Sequence, residues 1–340
     1  MKFSVLGAGS WGTTFAKLLI ENGHEVLLWA RREELAEQIN KDHVNLEYLP
    51  SIELPPTLIA TSKIYEIEQF SDNLVIAVPV KYLQETLEKI TTVPKTVINL
   101  SKGIDSKLRT VSSIVASKWQ RVTYAILSGP CHAPEVARRL PTSVVIASED
   151  EYTANLFQSA LSNEFFRVYT TEDVLGVEIC GAVKNVIAIA AGVLDGLGHW
   201  HNAKASLITR GLHEITRFGL AMGCKSPLTF MGLAGMGDLI VTCTSNYSRN
   251  RYVGEMIGKG MVLEDLLSNM KMIAEGVHTV GPLLELAKSL NVDMPISQKV
   301  YEVLFLGKKP HEAIYELMKR PLKIENEFKQ IDLQPASRDI

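Results

Sequence analysis

The sequence predicts an α/β protein: a doubly wound sheet of the Rossmann type, followed by an all-α C-terminal domain. Three observations carry that prediction. Short β-branched runs alternate with helical segments through the first half, as in strands joined by crossover helices. Several of these runs are almost continuously apolar, the pattern of parallel strands covered on both faces. After about Thr171 such runs nearly vanish and apolar residues recur at helical spacing.

Taken in order, "KFSVLGAG" reads as the first strand, "SWGTTFAKLLIENG" as a helix closed by Gly23, and "HEVLLWA" as the second strand. "DNLVIAVP", "KTVINLSKG", "VTYAILSGP", "TSVVIAS" and "FFRVYT" follow as further strands. Beyond them "EDVLGVEICGAVKNVIAIAAGVL", "AKASLITRGLHEITRFGLAMG", "VLEDLLSNMK" and "TVGPLLELAKSL" read as helices. A chain of 340 residues exceeds what one core usually serves. Domains are therefore expected at 1–171 and 172–340, with the tail after Pro321 expected to fray.

Composition narrows the class. Hydrophobic residues make up 46% and charged residues 21%, the balance of an ordinary globular protein. A net charge of −3 gives no general attraction to nucleic acid or to an anionic membrane surface. Cys131, Cys180, Cys224 and Cys243 form no C-x-x-C pair, which argues against a disulfide framework or a zinc site. The start lacks the segments of a secretory signal, and the apolar run "VIAIAAGVL" is too short to span a bilayer. A cytoplasmic protein is expected, with no metal, nucleic-acid partner or stable membrane insertion.

The motif with the most specific context is "VLGAGSWGTTFAKLL". Gly7 would permit the tight turn, Gly9 would let the backbone approach a pyrophosphate, and Gly12 would let the helix pack on the sheet. The helix N-terminus would supply free N–H groups to the phosphates. At the end of the next strand an NAD site usually carries an acid, but here Arg31 and Arg32 stand. A guanidinium can hold a 2′-phosphate that a carboxylate would repel. NADPH is therefore expected, with NADH as the alternative. The other account of the two arginines is a solvated helix start paired with Glu33 and Glu34.

Three polar groups could face such a cofactor. Lys102 follows a strand end, and Gly129 follows another; Lys102 could bind an anionic substrate or be a solvated turn lysine. Lys184 and Asn185 interrupt an apolar helix, with Val177, Gly181, Lys184, Ala188 and Ala191 along one face. A lysine buried there has a lowered pKa and suits general acid–base work. Alternatively it snorkels out or pairs with Asp173 or Glu178. Lastly, Asp238 lies among glycines 232, 235 and 237, ahead of Ser248, Arg249, Asn250 and Arg251. That group offers donors for a phosphate or merely caps a helix starting near Ser248. His199 and His201 read as an exposed pair, and Cys131 beside His132 is poorly arranged for nucleophilic catalysis.

Together, "GAGSWGT", "NGHEVLLWARR", "NLSKGI", "LSGP", "GAVKNVIAIAAG", "LITRGL", "GLAGMGDLIVTCTS" and "SRNRYVG" resemble the bacterial NAD(P)-dependent glycerol-3-phosphate dehydrogenases. The resemblance implies reduction of dihydroxyacetone phosphate to sn-glycerol 3-phosphate, feeding phospholipid synthesis, by a homodimer. Carried over by position, Lys184 is the proton donor and acceptor at the substrate C2 oxygen. Lys102, Gly129, Asp238, Ser248, Arg249 and Asn250 resemble substrate contacts. Ser10, Trp11, Arg31, Lys102, Ala133, Arg249, Ile273 and Glu275 resemble cofactor contacts. The sequence departs from the family at Cys131, where Ser or Thr is usual, at His132, where an aromatic is usual, and at His201. A ketopantoate-type reductase is the rival with the same architecture, and it would lack the "GDLIVTCTS…SRNR" stretch. A non-enzymatic dinucleotide sensor would need no buried proton donor.

Overall fold

A computed structural model of the chain describes residues 1–270 and 272–325. Its strands are β1 (Lys2–Leu6), β2 (Glu25–Trp29), β3 (Val44–Asn45), β4 (Leu49–Glu53), β5 (Ile59–Thr61), β6 (Asn73–Ile76), β7 (Thr96–Asn99), β8 (Thr123–Ser128), β9 (Thr142–Ser148) and β10 (Phe166–Thr171). Between them lie helices α1 (Ser10–Glu21), α2 (Glu33–Asp42), α3 (Ile64–Phe70), α4 (Val80–Glu88), α5 (Val111–Lys118), α6 (Ala133–Ala137) and α7 (Glu151–Leu161). The helical half comprises α8 (Val174–Gly198), α9 (His201–Ala221), α10 (Leu228–Met231), a π-helical turn over Leu233–Gly237, α11 (Asp238–Thr244) and α12 (Arg249–Gly258). It continues with α13 (Leu263–Ser268), α14 (Glu275–Ser289), α15 (Pro295–Phe305) and α16 (Pro310–Met318). The expected fraying of the tail concerns, from residue 326 onward, positions outside the described residues.

Eight strands form one sheet in the order β10-β9-β8-β7-β6-β1-β2-β5. Their apolar runs are buried as predicted: β1, β2, β6 and β7 have no exposed residue beyond their first. The neighbours pair in parallel except β8 with β9, which are antiparallel. The departure from parallel pairing there has a local reason. Only the five-residue helix α6 lies between β8 and β9, and a parallel return usually needs a full crossover helix. The small β3–β4 hairpin and the edge strand β5, both too short and polar to show a run, are absent from the sequence prediction. Strand order reverses at β1, which has β2 on one side and β6 on the other.

Helix α8 is the axis of the second half. Val177, Val183, Ile187 and Ala191 are fully buried in one apolar cluster with Ile126 of β8 and Ala147 of β9, so this helix packs directly on the sheet. The bilayer argument from "VIAIAAGVL" needs correction. The structure joins that run to its flanks in one 25-residue helix, long and apolar enough by length and composition to cross a membrane. Of its 18-residue apolar window, 83% is buried inside the protein, as expected of a core helix.

Candidate active site

The glycine loop joins β1 to α1 at the reversal of strand order, where open α/β sheets bind their ligands. Gly7 has φ +115°, and a Cβ there would lie 2.8 Å from the Ala77 carbonyl oxygen. A Cβ on Gly12 would lie 1.9 Å from the Gly7 carbonyl oxygen, so loop and helix touch through backbone. At Gly9, in contrast, a Cβ would meet nothing within 4 Å. No side chain caps the N-terminus of α1. The loop therefore presents free N–H groups to open space, a cradle that fits a pyrophosphate. Ser10 and Trp11 begin α1, with the Trp11 ring edge-on to Phe15. Thr14 donates to the Ala133 carbonyl at 3.3 Å, which sets Ala133 and helix α6 beside the loop.

The two arginines after β2 take different partners. Arg31 lies over the Tyr82 ring, 5.9 Å from its centroid. Arg32 forms an ion pair with Glu47 of the β3–β4 hairpin, not with Glu33 or Glu34 as the solvated-helix account supposed.

Lys102, Lys184 and Asp238 come from three separate segments and meet in one buried cluster. Lys184 Nζ lies 2.5 Å from Asp238 Oδ1 and donates to Thr242 Oγ1 at 2.8 Å. Lys102 Nζ lies 2.6 Å from Asp238 Oδ2. Ser128, the last residue of β8, donates to that same oxygen at 3.4 Å. Gly181 stands one turn before Lys184, and a Cβ on it would lie 3.1 Å from the Lys102 side chain. Its hydrogen thus leaves room for the second lysine. The residues offered as alternative partners of Lys184 are engaged elsewhere. Asp173 caps α8 and accepts from Thr229, while Glu178 accepts from Ser112 and Tyr124.

The electrostatics of this cluster suit proton transfer. Burial lowers the Lys184 pKa to about 8, Lys102 adds to the fall, and Asp238 opposes it. Burial alone would raise Asp238, but the two ammonium groups hold it below the usual carboxylate range. Lys102 is lowered by burial yet ends above its ordinary value because Asp238 stabilises its charge. Two lysines against one carboxylate leave net positive charge, apt for an anionic substrate. Asp238→Asn is expected to drop Lys184 further below 8 and slow carbonyl reduction at pH 7.5 by about tenfold or more. A pH–rate profile reads this directly.

Around the cluster, Gly129 has φ +137° and accepts a hydrogen bond from the Cys131 thiol at 3.1 Å. Burial pushes that thiol's pKa up, the opposite of what a nucleophile needs. Burial and the positive charge of Lys184 hold His132 down to about 4, so the ring is neutral. Ser248 is the N-cap of α12, accepting from the Arg251 N–H at 3.2 Å. Asn250 donates to Asn185 and accepts from the Gly276 N–H, both at 2.9 Å. Ser248 thus closes the start of α12, while Asn250 fastens α12 to α8 and α14 and explains why Asn185 interrupts an apolar helix. Arg249 between them is exposed. It faces Glu275 at the start of α14, whose pKa burial raises to about 7 while Arg249 and the Val80 N–H oppose the rise. Ile273 lies two residues before Glu275, partly exposed. His199 and His201 are exposed at the α8–α9 junction, with His199 Nδ1 3.6 Å from Asp195.

Thr242, Ser128, Glu47 and Asn45 escaped the sequence reading. Thr242 had a usable signal, since it follows Asp238 by one helical turn on α11. A cavity of about 580 Å³ lined by Met1, Lys2, Asp72, Lys95 and Asp150 opens at the N-terminal edge of the sheet and holds none of these groups. The glycine loop follows β1, Lys102 follows β7 and Ser128 ends β8, all at the C-terminal ends of mutually parallel strands, so the loop and the lysine cluster share one edge.

Such a fold, with a buried lysine cluster on the edge that bears the glycine loop, is that of the nicotinamide-dependent oxidoreductases. Residues 2–154 match the family described as NAD-dependent glycerol-3-phosphate dehydrogenase N-terminus, and residues 173–315 match its C-terminus. The chain belongs to the NAD-dependent glycerol-3-phosphate dehydrogenase family. It is 50% identical over 325 residues to glycerol-3-phosphate dehydrogenase [NAD(P)+] of Thermotoga sp. (strain RQ2), covering 96% of this chain and 99% of that one. The structure of glycerol-3-phosphate dehydrogenase from Coxiella burnetii superposes with a TM-score of 0.90 at 35% identity, covering 94% of this chain and 99% of that one. A ketopantoate reductase from Ralstonia eutropha reaches a TM-score of 0.57 at 18% identity, covering 92% and 100% of the two chains, a likeness of fold alone.

Proposed function

We infer that the protein reduces dihydroxyacetone phosphate to sn-glycerol 3-phosphate and runs the reverse oxidation, the step that supplies glycerophospholipid synthesis. The observation that carries this reading is the buried Lys184 ammonium, held by Asp238 and Thr242 on the edge that bears the dinucleotide cradle. A reduced nicotinamide dinucleotide supplies the hydride to the ketone carbon when bound. Lys184 supplies the proton from Nζ to the C2 oxygen as negative charge grows there, so the ketone becomes an alcohol. Asp238 and Thr242 fix the direction of Nζ before the reaction, which removes a reorganisation cost from the barrier. Lys102 adds a second positive charge beside the developing oxyanion. Arg249, exposed between Ser248 and Asn250 at the start of α12, takes the substrate phosphate and uses that remote binding to orient the reacting end. Ser248, Asn250 and Gly129 shape that pocket.

The glycine loop, Ser10, Trp11, Ala133, Ile273 and Glu275 would hold the nicotinamide cofactor. Arg31 and Arg32 favour NADPH through the 2′-phosphate. Family resemblance supports a cytoplasmic homodimer. The chain divides at 171/172, a reading supported by β10 ending at Thr171 and α8 starting at Val174. Steady-state rates with dihydroxyacetone phosphate and each reduced cofactor test the whole reading. Turnover is expected with NADPH at the higher kcat/KM, and turnover with neither cofactor would overturn it.

A further inference from the structure

The acid that the end of β2 lacks reaches the same place from another segment. Asn45 is fully buried and donates through Nδ2 to the Ala8 carbonyl and to Thr13 Oγ1, both at 2.9 Å. Its Oδ1 accepts from the Tyr48 N–H at 3.1 Å. One buried amide therefore pins the β3–β4 hairpin to the glycine loop and to the first turn of α1. The hairpin tip, Leu46–Glu47–Tyr48, is held at the C-terminal end of β2 as a result. There Glu47 pairs with Arg32 and hydrogen-bonds the Tyr48 side chain. Arg31, on its ring contact with Tyr82, is the neighbouring positive charge.

We propose that Glu47 sets the choice between the two nicotinamide dinucleotides by competing for Arg32 with the cofactor's 2′-phosphate. The proposal rests on the reading that the glycine loop binds a nicotinamide dinucleotide. With NADH, no 2′-phosphate competes, so the Glu47 carboxylate stays on Arg32 and keeps a negative charge near the end of β2, as a strand-end acid does. With NADPH, the 2′-phosphate brings about two negative charges and must displace Glu47 from Arg32, which leaves two like charges close together. Arg31 is free of that competition and attracts either cofactor. The site is thus a compromise. Two arginines favour the phosphate, and one carboxylate delivered by tertiary structure reduces the margin and keeps NADH usable. The β2 end alone predicts a larger NADPH preference than this arrangement permits.

The test compares wild type, Glu47→Gln and an Arg31→Ala/Arg32→Ala double variant of the full chain. NADH and NADPH affinities are read by nicotinamide fluorescence on the enzyme without substrate, and kcat/KM is read with dihydroxyacetone phosphate. Glu47→Gln keeps the shape and removes the charge. It is expected to tighten NADPH, weaken NADH, and move the NADPH-to-NADH ratio by about tenfold, equivalent to about 1.4 kcal/mol. A melting temperature equal to wild type excludes a folding effect. A ratio unmoved within about twofold, or equal loss with both cofactors, would overturn the proposal. If the double-arginine variant loses NADPH preference while Glu47→Gln changes nothing, the arginines select and Glu47 does not. If wild type binds neither dinucleotide, the underlying cofactor reading fails instead.

Discussion

Lys184→Ala is expected to fold, to bind reduced dinucleotide as wild type does, and to lose about 10³-fold or more in turnover. The size follows from two losses together. A positioned general acid contributes roughly 10²–10⁴-fold, and the same ammonium stabilises the charge growing on the carbonyl oxygen. Melting temperature and cofactor fluorescence check the fold, and stopped-flow hydride transfer checks the chemistry. Turnover near wild type would remove Lys184 from the proposed role. The unmodified enzyme carries a linked pH signature. With a pKa of about 8, Lys184 is protonated below that value, so reduction should slow as pH rises through about 8. The reverse oxidation needs the neutral amine and should quicken over the same range. The stability sign is separate. The folded pKa lies below the ordinary 10.5, so the folded chain binds fewer protons between about 8 and 10.5. Charged Lys184 thus costs stability below about 8, and that cost is relieved as pH rises through the window.

Gly254→Ala is expected to destabilise the helical domain by about 3 kcal/mol, at the upper end for overpacking. Helices α8 and α12 cross backbone to backbone. A Cβ on Gly254 would lie 1.9 Å from the Ile189 carbonyl oxygen, and one on Gly192 would lie 1.9 Å from the Arg251 carbonyl oxygen. Gly196 and Gly258 continue the contact one turn on, with distances of 2.3 and 2.5 Å to the opposing carbonyl oxygens. All four obstacles are backbone, so the helices must separate. That separation disturbs the bond of Asn250 to Asn185, the residue after Lys184, and some activity should fall with stability. Thermal unfolding of the variant against wild type reads this loss.

Local pattern explains which parts of this molecule were legible. Seven runs read as strands are strands of the main sheet, and the helical switch after Thr171 is present, because burial on both faces and helical amphipathicity write themselves into adjacent residues. The glycine loop was legible for the same reason, as turn, cradle and helix start occupy six consecutive positions. Lys184 could be singled out because a cation in an apolar helix is costly without partners. Its partners could not be named. Asp173 and Glu178 were near in sequence, yet Asp238 and Thr242, more than 50 residues away, are the groups it touches.

Linear pattern alone therefore carries the two-part architecture, the glycine loop, the family and the lysine inside an apolar helix. All of these depend on order and spacing along the chain. Tertiary structure decided which charges meet: Lys102 and Lys184 on the two oxygens of Asp238, Asn250 on Asn185, and Glu47 on Arg32. It also reversed β9, whose connection from β8 carries only the five-residue helix α6. Electrostatic pairing depends on distance through space, and a linear pattern specifies that distance only within a helical turn or a strand pair.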